Sequence, residues 1–353
     1  MTNTYRIVVI PGDGIGNEVM PEAIKVLEVL AGRYDFDFVF EEKDWSCERF
    51  HKTGAMMPED GLEQISKHDS ILLGAVGFPG VPDHVSLWGL LIPIRREFHQ
   101  YVNIRPVRLF EGMPCPLAGR KPGDIDFIIV RENNEGEYSE IGGKLYTGTD
   151  REFVVQQAVF TRQGTDRIMR YAFDLACRRE RKHLTSATKS NGIIHSMPYW
   201  DERFELVSAD YPEVSTDKFH IDILTAQFVR NPNWFDVVVG SNLFGDILSD
   251  LGPAVTGTIG IAPGANINPE RDYPSMFEPV HGSAPDIAGR GICNPIGEIW
   301  SAAMMLDHLG EGRAATDITK AIETVIRDSD VKTPDMGGKA TTSELGQAIV
   351  DAL

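Results

Sequence analysis

A strand, a glycine turn and a helix open this chain, and that order constrains the fold more than any other feature. Residues 5–10 (YRIVVI) form an apolar run of strand length. Gly12, Gly14 and Gly16 follow, and then Val19, Ala23, Ile24, Leu27 and Leu30 recur at helical spacing. Pro21 falls in the first turn of that helix, where proline is tolerated. Residues 36–40 and 70–75 read as the next two strands. A chain that alternates strand and helix in this way builds a largely parallel sheet covered by helices, an α/β fold.

The rhythm changes from about residue 126. Residues 127–130 (FIIV) read as a strand that delivers Arg131. Residues 142–160 alternate β-branched and polar side chains around Gly and Asp turns, which predicts an antiparallel hairpin or arm. Ile168, Met169, Ala172, Leu175 and Ala176 mark a helix, and residues 183–188 and 235–239 mark strands. Beyond about residue 257 the chain is rich in Gly and Pro as far as residue 297, which reads as a long ordered loop region. Helices over 299–309, 318–326 and 344–353 close the chain, the last with Thr341 and Glu344 spaced as a capping box. There are no internal repeats, low-complexity segments or evident linkers, so two domains are expected to exchange the chain more than once.

Composition narrows the function classes. The 353 residues carry a formal net charge of −18, which disfavours nucleic acid and anionic membranes as partners. No run of about 18 apolar residues predicts a membrane span. No signal-peptide pattern precedes the first strand. Cys47, Cys115, Cys177 and Cys293 lie far apart with no C-x-x-C pair, which suits a reducing cytoplasm better than a disulfide framework or zinc site.

The most informative motif follows the strand at 235–239. If residues 242–250 (NLFGDILSD) are helical, Asp246 and Asp250 stand one turn apart on one face and repel each other. A solvated acidic face is one reading. A hard divalent cation, Mg²⁺ or Mn²⁺, is the other. The flanking Ile247, Leu248 and Leu251 and the preceding glycine turn favour the metal.

Arginines make a second constellation. Arg95 follows an apolar run, Arg105 sits within residues 103–106 (NIRP), and Arg131 ends a strand. Each alone suits a surface ion pair. Three beside apolar elements suggest a polyanionic small molecule held by bidentate guanidinium forks. Lys189 follows the strand at 183–188 and is either solvated or, near a metal, an acid/base group. Tyr138 is either a surface tyrosine or a proton donor. Asp222 stands between apolar residues and needs a partner, whether a metal, a helix cap or a cation.

Two loops speak to a cofactor. Gly12-x-Gly14-x-Gly16 invites a Rossmann reading with Glu41 or Glu42 as the ribose acid. Asn17 stands where that fingerprint needs its third glycine, so a turn that shapes a pocket is the better reading. Residues 278–289 (EPVHGSAPDIAG) are too specific for a generic loop. Small residues there admit close backbone approach. Asp286 can accept hydrogen bonds from ribose hydroxyls and would repel a 2′-phosphate.

These segments together resemble the β-decarboxylating dehydrogenases, the family of isocitrate, isopropylmalate, homoisocitrate and tartrate or D-malate dehydrogenases. The likeness runs from residues 10–16 (IPGDGIG) to 333–338 (TPDMGG), and residues 83–95 (DHVSLWGLLIPIR) resemble the tartrate/D-malate branch. It implies an isopropylmalate/isocitrate dehydrogenase-like two-domain fold with a mostly parallel sheet, not a Rossmann fold. One domain would combine 1–105 with 258–353. The other, 106–257, would carry the dimer interface, with a hairpin arm near 142–160.

The resemblance also implies roles. Arg95, Arg105 and Arg131 match substrate-carboxylate arginines, Tyr138 and Lys189 the acid/base pair, and Asp222, Asp246 and Asp250 the metal ligands. Glu278, His281, Gly282, Ser283, Ala284, Asp286, Ile287 and Asn294 match the cofactor-binding segment. NAD is implied over NADP, because Asp286 and Ile287 replace a Lys and a Tyr found in NADP-using members. Mg²⁺ or Mn²⁺ is implied, with room for a monovalent cation such as K⁺. A homodimer is implied in which Lys189 and Asp222 serve the partner's site.

The implied reaction is metal-assisted oxidation of a small 2-hydroxy diacid, followed by β-decarboxylation, so that D-malate would give pyruvate and CO₂. Trp88 and Gly89 stand where relatives for larger substrates read the C3 substituent. The alternatives are an isopropylmalate, isocitrate or homoisocitrate dehydrogenase, and a non-catalytic regulatory subunit. A regulatory subunit would have lost part of the residue set that this chain retains in full.

Overall fold

The protein was analysed as a computed structural model that describes residues 3–257 and 259–353. Its strands are β1 (Asn3–Gly12), β2 (Phe36–Glu42), β3 (Ser70–Ala75), β4 (Val102–Arg108), β5 (Asp126–Glu132), β6 (Gly142–Leu145), β7 (Phe153–Gln156), β8 (His183–Thr188), β9 (Ser215–His220), β10 (Val237–Gly240), β11 (Pro263–Ile267) and β12 (Ser275–Pro279). All but β6 and β7 join one ten-stranded sheet in the order β2-β1-β3-β12-β11-β4-β5-β10-β8-β9.

The ends of this sheet are parallel and its middle is not. β1 pairs in parallel with β2 and β3, and β3 with β12. At the other end β5, β10, β8 and β9 are parallel neighbours. Between them the β12/β11, β11/β4 and β4/β5 pairs are antiparallel. Helices cover the sheet, and strands such as β3 and β10 are buried on both sides. In β1, Ile7 and Val9 enter one core while Val8 and Ile10 enter another, as period-2 alternation requires.

The opening strand–turn–helix stands as the sequence predicts, with the helix over Gly16–Arg33. The Gly turn is a packing device. Gly12 and Gly14 have φ of +73° and +54°, and a Cβ there would fall 1.9 Å from the Ala75 carbonyl oxygen and 2.1 Å from that of Ser283. Glu41 is held by Lys43 at 2.6 Å and His68 at 2.8 Å. The Glu41 carboxylate is thus already paired within the fold.

The region between 257 and 297 departs from expectation. Its Gly and Pro content predicts loop, yet it supplies β11 and β12, two strands at the centre of the sheet. Each has five residues, begins or ends in proline and is buried throughout, so neither shows the alternation that marks a half-buried strand. Their pairing partners lie far away in sequence. β9 was also unforeseen, because most of its residues are polar or charged.

The closing helices form over Ile296–Leu309, Gly312–Asp328 and Thr342–Ala352, and the Thr341/Glu344 capping box is complete. β6 and β7 make the predicted hairpin, antiparallel and separate from the main sheet. It exposes Ile141, Leu145, Tyr146, Phe153, Val154 and Val155. No helix among the described residues is long and apolar enough to cross a membrane.

Candidate active site

The antiparallel seam aims one face of four strands at a common point. Register pairs Asn103 with Arg131 and with Asn266, and Gly264 with Glu278. Antiparallel partners share a face, as do residues two apart. Asn103, Arg105, Arg131, Asn266 and Glu278 therefore lie on the same side, and all are buried. Buried polar groups survive only if satisfied. Asn103 and Asn133 both donate to Asn266 Oδ1 at 2.9 Å, and Asn266 donates to Glu278 at 2.8 Å. No motif in the sequence singles out Asn103 and Asn266; the available signal is an asparagine between apolar neighbours, Val102 and Ile104 in one strand and Ala265 and Ile267 in the other.

The three arginines differ in how they are held. Arg95, on the helix Ile92–Glu97, donates to Glu278 Oε1 at 2.6 Å. Burial would push the Glu278 carboxyl up, but Arg95 and Arg105 hold it below its usual range. Arg131 pairs with Asp246 and donates twice to Asn242 Oδ1, at 2.7 and 3.1 Å. Gly245 permits this, because a Cβ there would sit 2.5 Å from that of Arg131. Arg105 donates from Nε to Asn103 at 2.8 Å and makes no ion pair among the described residues. Burial pushes its pKa down to about 10. It is the guanidinium left for an anionic ligand.

Asp246 and Asp250 lie on the helix Asn242–Thr256, as their spacing predicts. Glu137 orders the start of this helix by accepting from the Ser241 hydroxyl at 2.8 Å and the Leu243 N–H at 3.1 Å. Burial raises Asp246, but Arg131 and the Tyr138 hydroxyl outweigh it and hold the carboxyl below the usual range. Burial and repulsion from Asp246 push Asp250 up. Two hard oxygen donors that repel each other beside a ligand-facing arginine suit a divalent cation. Tyr138 donates to Asp246 Oδ2 at 2.6 Å, and burial together with this bond pushes its phenol up to about 12.

Lys189 and Asp222 form a separate pair at 2.9 Å, where β8 ends and the helix Ile221–Arg230 begins. The lysine holds the Asp222 carboxyl below its usual range. Asp222 was expected in an apolar setting. Its side chain is instead 66% exposed in the single chain, because it opens a helix rather than facing the core. Among the described residues no three His, Cys, Asp or Glu side chains converge on one point as a metal site. Asp222 therefore does not join Asp246 and Asp250 within one chain.

The segment 278–294 wraps the start of the first helix. Ile15 N–H donates to the Ser283 carbonyl at 2.9 Å, and Glu18 accepts from Gly289 and Gly291 at 2.6 and 2.7 Å. Ala284, with φ of +40°, and Ile287 pack against Ile15, Val19 and Cys293. Gly282 and Asp286 are exposed. Asn294 is used inside the fold, donating to Asp335 at 2.9 Å and accepting from Ile296 at 3.0 Å. His281 bonds through Nδ1 to the Gly282 carbonyl at 3.0 Å, while its buried Nε2 has no hydrogen-bond partner among the described residues. Burial lowers its pKa and keeps the ring neutral, so Nε2 is an acceptor in need of a donor. That orphaned atom fits a bound cofactor.

Comparison with known proteins agrees with this architecture. The chain is 62% identical over 356 residues to D-malate dehydrogenase (decarboxylating) of Escherichia coli (strain K12), across 99% of this chain and 98% of that protein. It is 60% identical over 359 residues to tartrate dehydrogenase/decarboxylase of Pseudomonas putida, with the same coverage. The crystal structure of isocitrate dehydrogenase from Methylococcus capsulatus superposes with a TM-score of 0.89 at 35% identity, covering 99% of both chains. The fold is thus the two-domain α/β fold of those enzymes, distinct from a Rossmann fold. Residues 6–349 match the isocitrate/isopropylmalate dehydrogenase model, and the chain belongs to that family.

Proposed function

We propose that this protein is an NAD- and divalent-metal-dependent decarboxylating dehydrogenase acting on a small 2-hydroxy diacid, D-malate or a tartrate, with D-malate converted to pyruvate and CO₂. The observation that carries the proposal is the charge pattern of the pocket, in which the three arginines and Glu278 are buried while Asp246 and Asp250 reach solvent. Arg95, Arg105 and Arg131 meet Glu278, Asp246 and Asp250, three cations against three carboxylates. A divalent ion on the two aspartates leaves two net positive charges, the complement of a dicarboxylate. The 60–62% identity to a tartrate and a D-malate enzyme supports the same substrate class.

Asp246 and Asp250, with Asp222 of a second copy, would hold Mg²⁺ or Mn²⁺, which when bound polarises the substrate's 2-oxygen. NAD bound along His281–Asn294 supplies the hydride acceptor. Arg105 binds a substrate carboxylate, and Arg95 and Arg131 orient it from either side. Lys189 of that second copy takes the 2-hydroxyl proton on Nζ. Tyr138, with a phenol that stays protonated at neutral pH, gives its proton to C3 after CO₂ has left. Asp286 stands exposed where it favours free ribose hydroxyls over a 2′-phosphate.

The proposal includes a homodimer with shared sites. It is supported by the Lys189–Asp222 pair, which stands apart from the arginine pocket, and by the apolar hairpin open to solvent. It also includes a domain boundary near residues 105 and 258, supported by the seam at which the sheet changes direction. A cytoplasmic setting is supported by four unpaired cysteines.

The test is NADH formation with Mn²⁺ on D-malate, both tartrates, 3-isopropylmalate and isocitrate. The expected result is the highest kcat/KM with D-malate or a tartrate, and loss of turnover after EDTA. A higher kcat/KM with isopropylmalate or isocitrate overturns the substrate assignment.

A further inference from the structure

We propose that Arg96 is a positioning residue that ties the π-helical turn carrying Trp88 to the proton donor Tyr138. The proposal rests on the function assigned above. Arg95 and Arg96 are neighbours on one short helix, Ile92–Glu97, and diverge. Arg95 turns inward to Glu278. Arg96 turns to three other groups. Its Nη2 donates to the Tyr138 carbonyl at 2.9 Å, its Nη1 lies 3.3 Å from Glu140, and its guanidinium carbon stands 4.6 Å from the centre of the Trp88 ring.

The Glu140 carboxylate is 77% exposed, so that leg is screened by solvent and weak. The other two legs form the tie. Tyr138 is held at both ends, its phenol by Asp246 at 2.6 Å and its carbonyl by Arg96. Trp88 sits in a π-helical turn, Leu87–Leu91, a rare geometry that tends to occur at functional sites. Within that turn, Gly89 lies so close to Met56 that a Cβ would fall 2.8 Å from Met56 Cγ. The turn therefore has little room to retreat.

One planar cation thus lies against the indole and hydrogen-bonds the backbone of the acid. Lysine cannot do both, because its ammonium lacks the flat face and the fork. Loosening either leg of Arg96 therefore frees the backbone of Tyr138, and the loss is expected in kcat more than in KM.

The experiment is a double-mutant cycle on the full-length enzyme with saturating NAD and Mn²⁺. It uses Arg96→Gln, Trp88→Leu and the double variant, with Arg96→Lys as the conservative control. Arg96→Gln should lower kcat on D-malate about tenfold, with KM changed less than about threefold. Arg96→Lys should fail to restore kcat. The double variant should be no worse than the more damaged single variant, because the two residues act through one contact. A kcat for Arg96→Gln within twofold of wild type overturns the proposal. So do effects that multiply in the double variant, or full recovery with lysine. If Arg96→Gln does not fold, the kcat of Arg96→Lys decides alone. A wild-type enzyme that prefers 3-isopropylmalate overturns the substrate assignment instead, and the same cycle on that substrate still tests the tie.

Discussion

Arg105 and Arg131 are both buried arginines of one pocket, yet replacing each with methionine should have opposite effects on stability. Arg105 makes no ion pair among the described residues, and burial pushes its pKa from the usual guanidinium range down to about 10. Carrying that charge in the folded state therefore costs about 3 kcal/mol. Arg105→Met removes the penalty. It also leaves Asn103 Oδ1 without its 2.8 Å donor, at about 1–3 kcal/mol. The net change should fall between about zero and 2 kcal/mol of stabilisation. Arg131→Met instead strips the cation from Asp246 and two donors from Asn242. It should destabilise by about 3 kcal/mol. For activity, Arg105→Met loses a charge-assisted pair to the substrate carboxylate, and kcat/KM should fall by about 10²–10³. Urea unfolding at pH 7.5, without metal or substrate, gives the first quantity and steady-state kinetics the second. An Arg105→Met protein destabilised by more than about 2 kcal/mol, or one with unchanged kcat/KM, would show that Arg105 supports the fold rather than the substrate.

Three other tests address other levels. Asp286→Lys with Ile287→Tyr should shift cofactor preference towards NADP, read as the ratio of the two kcat/KM values. Equal wild-type values for NAD and NADP would contradict the role of Asp286. Mixing inactive Lys189→Ala and Asp246→Asn chains should regenerate activity after subunit exchange, because each mixed dimer holds one intact site if sites are shared. Proven exchange with no activity would place each site within one chain. His308 is packed against Phe277, with burial foremost and then the charge of Arg271 holding its pKa at about 4. The unfolded chain therefore takes up this proton first as pH falls below about 6.5, and stability drops through that window. His308→Gln should remove about 2 kcal/mol of the wild-type loss between pH 7 and 5, measured by urea unfolding at both.

Features that depend on near neighbours are legible in the order of residues. Helical spacing put Asp246 and Asp250 on one face, Thr341 and Glu344 capped the last helix, and the apolar run before Gly12 made a strand. Each rests on interactions within a few residues, which a linear pattern reports directly. Tertiary structure decided what depends on distant partners. β11 and β12 lack a strand pattern and exist because β3 and β4 pair with them across the sheet. That pairing brings Glu278 to Arg95, 183 residues away, while Arg105 makes no ion pair among the described residues. Likewise, nothing in the order of residues tells that Lys189 takes Asp222 while Tyr138 takes Asp246. A buried charge must be matched by whatever the fold places beside it. Arginine identity is therefore legible in the sequence, and the division of labour among arginines is set only when the seam closes.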